Sequence, residues 1–249
     1  IEFSPTAQSD VFTYDKAIGG NANVAKSGAG KAILTQANAY TGTTTVTAGV
    51  LEIQGAQAGN GAFDVTGGTL LVKGSIGTGA VTVSGTGILG GTGTINGAIT
   101  IEEGGTLSPG ASVETLSITG DVTFKAGSTL LIELQYVGDQ WTYDVLNVSS
   151  GVTLTFEEGA QLQIVNLGTE PLTKGVEINF FGSELPNFVG NPFGSVSFEG
   201  FGDEDFRFTI GPDGKFAVVP EPGTYALFGG IGAVALALLR RRRKSRTGL

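Results

Sequence analysis

The sequence predicts an all-β protein: a right-handed parallel β-helix (a β-solenoid) with a β-rich C-terminal cap, followed by one short transmembrane α-helix. Three observations predict this fold class. Glycine accounts for 42 of the 249 residues, well over twice its usual share of about 7%. A strand–turn–strand pattern recurs about every 18 residues. An uncharged apolar segment followed by a basic run closes the chain.

The repeat consists of short β-branched strands that end at glycine corners. Its leading residues are Val46, Val65, Val83 and Ile101, separated by 19, 18 and 18 positions, with looser copies led by Phe124, Val148 and Phe156. One unit cannot bury an apolar face alone, whereas stacked coils bury Val, Ile and Leu and expose Thr and Ser. We therefore predict β-helix repeats over residues 28–170, after an N-terminal strand region of a truncated solenoid over 1–27. The structural alternative is a β-sandwich, whose strands recur every 8–12 residues.

One stretch of the repeat is more specific. Residues 28–51 read GAGKAILTQANAYTGTTTVTAGVL. They resemble the autotransporter-associated β-strand repeat, with its pattern Gly-x-Gly, Leu-Thr, Asn-x-Tyr-Thr-Gly, Thr-x-Val and Gly-x-Leu. The resemblance is specific and spans about residues 28–165, because residues 89–95, 105–110 and 143–148 also resemble sequences in such proteins. The resemblance implies a secreted right-handed β-helix stem.

The segment 171–218 is rich in phenylalanine. Residues 171–219 hold nine of the 15 Phe residues, and residues 206–210 and 215–219 flank a Pro-Asp-Gly turn. This pattern predicts a β-hairpin. We interpret residues 171–218 as a cap that covers the open end of the solenoid core. The functional alternative is a carbohydrate-stacking surface, which requires several exposed, coplanar rings.

Charge is divided unevenly along the chain. All 23 acidic residues precede residue 222, whereas six of the 14 basic residues lie between 240 and 246. Such an acidic body repels nucleic-acid phosphates, so we expect no nucleic-acid partner.

An apolar segment precedes the basic run. We predict a transmembrane helix over residues 224–239, which carry no charge. Its apolar part rises about 22 Å, less than the roughly 30 Å hydrocarbon core, so flanking residues and extended arginines complete the span. The alternative is a buried core helix. By the positive-inside rule, residues 1–221 face away from the cytoplasm. The residues that set this orientation are Arg240, Arg241, Arg242, Arg243 and Lys244.

Pro220, Glu221 and Pro222 stand directly before the apolar segment. Two prolines around one residue favour an extended strip that a processing enzyme can bind. The order Pro-Glu-Pro, apolar helix and basic tail 240–246 closely resembles the PEP-CTERM sorting signal of Gram-negative bacteria, here within residues 219–249. In that family an exosortase, a membrane transpeptidase-like enzyme, recognises the signal and cleaves near Pro-Glu-Pro. A simple tail anchor is the alternative.

Catalytic chemistry has few candidate residues. The chain lacks Cys, His and Met, which excludes disulfides, Cys/His zinc sites and nucleophiles paired with His. The lack of Met also indicates a chain that continues upstream, where a secretion signal would lie. Adjacent carboxylates point to opposite faces of a strand and do not converge on one substrate. The acidic groups in question are Glu102–Glu103, Glu157–Glu158 and Asp203–Glu204–Asp205, the last without a calcium-loop pattern.

The sequence therefore predicts a non-enzymatic, exported bacterial protein of the cell surface or extracellular matrix, structural or adhesive, with no catalytic, cofactor or metal site. We expect the exosortase as its processing partner, the inner membrane as a transient one, and the extracellular polysaccharide of a biofilm as a further one. The alternatives are a β-helical polysaccharide-active enzyme (lyase or hydrolase) and a passenger fragment of an autotransporter.

Overall fold

The computed structural model describes residues 1–110, 113–170, 177–182, 186–190, 195–201, 207–210 and 216–219. All regular secondary structure in these ranges is β-strand. Among the described residues no helix is both long and apolar enough to cross a membrane. The predicted transmembrane segment 224–239, the basic tail and the cluster Asp203–Asp205 lie outside the described residues.

Three parallel sheets are built from successive turns of the chain. Sheet 1 consists, in spatial order, of β1 (Glu2–Phe3), β3 (Val24–Lys26), β5 (Thr44–Val46), β8 (Phe63–Val65), β11 (Val81–Val83), β14 (Ile99–Ile101), β17 (Val122–Phe124), β21 (Thr153–Phe156) and β24 (Asn187–Gly190). Sheet 2 consists of β2 (Val11–Tyr14), β4 (Lys31–Leu34), β6 (Val50–Ile53), β9 (Thr69–Val72), β12 (Ile88–Gly91), β15 (Thr106–Pro109), β18 (Thr129–Val137), β22 (Gln161–Asn166) and β25 (Ser195–Glu199). Sheet 3 consists of β7 (Ala56–Gln57), β10 (Ser75–Ile76), β13 (Thr94–Ile95), β16 (Thr115–Ile118) and β20 (Val145–Val148).

Equivalent residues of successive coils lie beside one another in the sheets. Val46 pairs with Val65, Val65 with Val83, Val83 with Ile101, and Ile101 with Phe124. These are the leading residues of the predicted repeat. Its spacing of 18 to 19 residues from Val46 to Ile101 is the length of one coil, and the coil from Ile101 to Phe124 takes 23. The prediction of a β-solenoid with parallel strands is thereby confirmed.

The motif led by Val148 does not lie where the sequence repeat predicts. Val148 pairs with Ile118 in sheet 3, whereas Leu154 pairs with Val122 in sheet 1. The motif therefore crosses the corner between sheets 3 and 1, and it is not in phase with the one led by Val46. The coil that contains it is longer, because a hairpin is inserted between β18 and β20.

Side-chain alternation explains why these strands form a solenoid. In β11, Val81 and Val83 are buried and Thr82 between them points outward. Successive strand residues face opposite sides, so each Val-Thr-Val strand buries two β-branched side chains, each stabilising the fold by about 1.5–3 kcal/mol. One apolar core runs from Phe3 to Phe201.

Glycine is required where coils turn and where they approach each other closely. Gly49 has a φ of 63°, which favours a residue without Cβ. A Cβ at this position would also meet the carbonyl oxygens of Gly28 and Gly30 in the preceding coil. At Gly59 the close approach of the coils alone requires glycine, since a Cβ there would overlap the carbonyl group of Tyr40.

The C-terminal part continues the solenoid before it changes architecture. β24 and β25 extend sheets 1 and 2. A separate antiparallel sheet follows, in the order β23 (Glu177–Ile178), β27 (Phe216–Val219) and β26 (Arg207–Ile210). The pairing of β26 with β27 confirms the predicted hairpin, whose turn residues lie outside the described part.

Five phenylalanines of this region have described side chains, and three of them are buried in the core. Phe180, Phe181 and Phe201 are buried. The rings of Phe180 and Phe181 are tilted by 54°, and those of Phe181 and Phe188 meet edge-on at 5.1 Å. Such tilted, buried rings close a core and do not form the exposed, coplanar platform that sugar stacking requires.

Candidate functional site

The segment that leads into Pro220 is fixed by two neighbouring strands. β27 is the central strand of the small antiparallel sheet. Val219, its last residue, pairs with Arg207, and Ala217 pairs with Glu177. Because proline has no N–H to donate to a strand ladder, the sequence places the end of this sheet directly before Pro220-Glu221-Pro222. The Pro-Glu-Pro residues and the basic run lie outside the described residues.

The two Glu pairs lie at solvent-exposed corners. Glu103 and Glu158 are exposed turn residues. Lys125 lies one coil beyond Glu102 and one coil before Glu157. Its Nζ is 2.6 Å from Glu157 Oε1. The hydrogen bond and charge of Glu157, with a smaller effect of Glu102, raise the pKa of Lys125. These carboxylates therefore belong to a surface ladder of alternating charge, not to a convergent pair.

No group of three or more acidic, His or Cys side chains that could hold a metal ion occurs among the described residues. An open groove of about 480 Å³ lies at the corner between sheets 1 and 2. Neither an acidic nor a basic side chain is among the residues that line it: Gln8, Ala29, Ala48, Gly49, Val50, Gly68 and Thr69.

A buried lysine was missed by sequence reasoning. Lys26 pairs with Val46 in sheet 1 and so occupies the inward position that Val has in later coils. It is 1% exposed. Its Nζ donates hydrogen bonds to the carbonyl oxygens of Ser27 (2.7 Å), Gly28 (2.7 Å) and Ala48 (2.9 Å). Desolvation lowers its pKa. Alignment of residues 24–26 with 44–46 would have shown a lysine at a core position.

We predict that Lys26→Met lowers the free energy of unfolding by about 2 kcal/mol, because three partly buried carbonyl groups lose a charged donor while packing is largely kept. Urea denaturation followed by far-UV circular dichroism measures the change. Lys16→Met is the control, since Lys16 is 73% exposed and its loss is expected to cost less than about 0.5 kcal/mol. Equal losses in the two variants would contradict the structural role.

A buried glutamate lies on the outer side of sheet 2. Glu52 is 2% exposed and forms ion pairs with Lys31 and Lys73. Burial alone would raise its pKa, but hydrogen bonds from Lys31 and Gln54 and the two positive charges outweigh burial and lower it. A carboxylate held ionised between two lysines is a poor proton acceptor, so this group stabilises the sheet and is unsuited to acid–base chemistry.

A hairpin projects from the solenoid. Parallel pairing of β18 with β22 ends at Leu134, and the chain then returns antiparallel through β19 (Gln140–Tyr143). Gly138 and Asp139, with φ values of 58° and 64°, form the two-residue turn that hairpins prefer. Residues 135–142 are called the arm below. The dipeptide Gly138-Asp139 between two strands is the sequence signal that marks this hairpin. The repeat-based prediction did not use it, and the arm was missed.

Comparison with known families gives two matches. Residues 24–53 match the passenger-associated transport repeat, and residues 218–243 match the PEP-CTERM protein-sorting motif. Both resemblances seen in the sequence are thereby confirmed. The repeat match runs from the start of β3 to the end of β6. Comparison with curated proteins gives no match.

The characteristic residues of the matched repeat hold one coil against the next. Asn38 Oδ1 accepts a hydrogen bond from the main-chain N–H of Ile18 at 2.8 Å. Tyr40 is fully buried, and its hydroxyl lies 2.7 Å from Thr44 Oγ1 in the same coil. The main-chain carbonyl oxygen of Tyr40 accepts a hydrogen bond at 2.8 Å from Gln57 Nε2 in the next coil. The repeat is therefore a stacking motif. Together the two matches identify an exported or envelope-associated protein with a passenger-type repeat and a sorting signal of the kind that exosortases process.

Proposed function

We propose that the chain is a non-enzymatic structural rod of the bacterial cell surface or extracellular matrix, a right-handed β-helix released to the outside when an exosortase cuts its tail. The observation that carries the proposal is the unbroken parallel stack joined to the matched sorting signal. Nine strands in sheet 1, at about 4.8 Å each, give a rod of roughly 40 Å.

The charges of the described body support a structural role. Lys26 is bonded to carbonyl groups, Glu52 to two lysines, and Lys125 to Glu157. A catalytic carboxylate needs freedom to take up or release a proton near the substrate. Lys26, Glu52 and Lys125 instead bind groups of neighbouring coils and so hold the coils together.

The outer face of sheet 1 supports contact with a hydrated matrix. Its central outward position carries a threonine in most coils, and these residues are in register along the rod. These hydroxyl groups offer uncharged hydrogen bonds, and Asp64, between Thr45 and Thr82, adds one carboxylate to the row. Such a polar face suits a structural or adhesive role within extracellular polysaccharide. The residues are Thr45, Thr82, Thr100, Thr123 and Thr155.

The tail completes the proposal. Residues 224–239 form the transmembrane helix that holds the chain in the inner membrane, and the basic run keeps the C-terminus in the cytoplasm. The body then lies outside, with Pro220, Glu221 and Pro222 between the last strand and the membrane, where a membrane enzyme can reach them.

The test of processing is the mass of the C-terminus. We expect cleavage near Pro220–Pro222 in a strain with the exosortase and an intact tail in a strain without it, measured by mass spectrometry of the purified chain. The matched control replaces Pro220 and Pro222 with Ala, which keeps the apolar segment and removes the extended strip. A tail retained through Leu249 in both strains would overturn the proposed processing.

A further inference from the structure

The base of the arm is held by one carboxylate. Asp144, between β19 and β20, is fully buried. Its Oδ2 accepts a hydrogen bond from the main-chain N–H of Glu133 at 2.9 Å, and its Oδ1 accepts one from that of Glu114 at 3.0 Å. Its own N–H donates to the carbonyl oxygen of Glu133 at 2.9 Å. One side chain thus joins β18, the entry to β16 and the return strand of the arm.

The surroundings of Asp144 disfavour its charge. Burial, the largest cause, raises its pKa, and the negative charges of Glu133 and Glu114 raise it further. The two main-chain N–H groups act in the opposite direction. The result is a pKa of about 7, up from the ordinary 3.8. Glu133 and Glu114 are the charged groups that the described residues place against this carboxyl.

The arm itself rests on the rod through aromatic side chains. Trp141 of the arm and Tyr143 at its base pack partly against the apolar core. Tyr136 lies 5.3 Å from Trp141, ring centre to ring centre, and is exposed. Among the described residues, the strand pairing of the arm beyond Leu134 is with itself. Its attachment therefore depends strongly on the hydrogen bonds at its base.

We propose that Asp144 makes the arm a pH-responsive element, packed against the rod while the carboxyl is protonated and released as the carboxyl ionises. A neutral carboxyl is buried at small cost and still accepts a main-chain hydrogen bond through its carbonyl oxygen. When its proton leaves to water, a negative charge remains buried beside two glutamates. Opening the arm lets water solvate that charge. This inference concerns the arm alone and goes beyond the proposed function.

The direction follows from proton linkage. The packed arm binds the proton more tightly than the open arm, in which Asp144 has its ordinary pKa. The opening equilibrium constant therefore rises with pH, by up to about tenfold per pH unit. The rise occupies the range between the ordinary pKa of 3.8 and the raised pKa of about 7, and the constant levels off above it.

Hydrogen exchange measures this opening. In the full chain held in detergent, mass spectrometry follows exchange of peptides covering residues 133–144 from pH 5 to 9, corrected for the intrinsic exchange rate. We expect protection to fall by up to tenfold per pH unit and to reach a plateau above about pH 7. Trp141, the only tryptophan, gives a second signal, because its quenching by acrylamide should rise over the same range.

Two substitutions make the test decisive. Asp144→Asn removes the titration, so protection should become independent of pH, whereas Asp139→Asn, at the exposed tip of the arm, should behave as the native chain does. An unchanged pH profile in Asp144→Asn, or protection that rises with pH, would overturn the proposal. If Asp144→Asn fails to fold, Glu133→Gln is used instead. Removing that charge should move the transition to lower pH, and an unmoved transition would equally overturn the proposal.

Discussion

Replacement of Gly59 by alanine is expected to lower the free energy of unfolding by more than about 4 kcal/mol, a loss in the exceptional range for one substitution. The new Cβ would overlap the carbonyl group of Tyr40 and press on Ala39 in the coil below. These are main-chain atoms, and the main-chain N–H of Ala58 bonds to Asn38 at 2.8 Å. Neither coil can therefore move aside without breaking the ladder between them.

The matched control for this substitution is Gly19→Ala. A Cβ at Gly19 has no heavy atom within 4 Å, and Gly19 is not in the left-handed region. Its replacement should change stability by less than about 1 kcal/mol and, through the unfolded state, in the stabilising direction. Urea denaturation followed by far-UV circular dichroism compares both variants with the native chain. Similar midpoints for Gly59→Ala and the native chain would show that the coils do not approach as described.

The stacking of the coils could be predicted in part from the sequence. Repeat spacing predicted the stacked positions of Val46, Val65, Val83 and Ile101, because one coil takes a nearly constant number of residues in this part of the chain. The same reasoning failed at Val148, because the inserted arm shifts the phase. An alternating hairpin strand and an alternating coil strand have the same hydrophobic period, so the pattern alone does not separate them.

Two of the buried charged groups, Asp144 and Glu52, could not be predicted from the sequence for a related reason. Whether Asp144 is buried depends on which coil lies over it and on the arm that precedes it. Glu52 is on the outward side of its strand, where the pattern predicts exposure, but Lys31, Lys73 and Gln54 lie against it. Lys26 was detectable in principle, since the aligned residue of the next coil is Val46.

The sorting signal, in contrast, was recognisable without any fold. Its three parts are consecutive in the chain, so their order and spacing carry the information. The structure adds one physical feature: the segment before Pro220 is the central strand of an antiparallel sheet. We expect this sheet to limit how far a processing enzyme can draw the chain toward the membrane, which favours cleavage at the Pro-Glu-Pro segment over cleavage upstream.

Replacing residues 240–244 with glutamine is expected to abolish the fixed orientation of the tail across the membrane. The fraction of the chain that the exosortase cleaves should fall at least about tenfold. Each Arg or Lys costs about 2.5–3.5 kcal/mol at the centre of a membrane helix on insertion scales. Five of them together oppose passage of the C-terminus by more than about 10 kcal/mol. Glutamine removes most of this barrier, so the tail can follow the body out of the cytoplasm before the exosortase acts.

An epitope placed after Leu249 reports the outcome. In the native chain it should be protected from protease added to spheroplasts, and in the glutamine variant it should be digested. Changing Arg240, Arg241, Arg242 and Arg243 to lysine is the matched control, because it keeps the charge, and the epitope should stay protected. If the lysine variant behaves as the glutamine variant does, arginine itself is recognised and the charge argument is wrong. Protection in all three chains would instead show that the apolar segment stops transfer by itself, without help from the basic run.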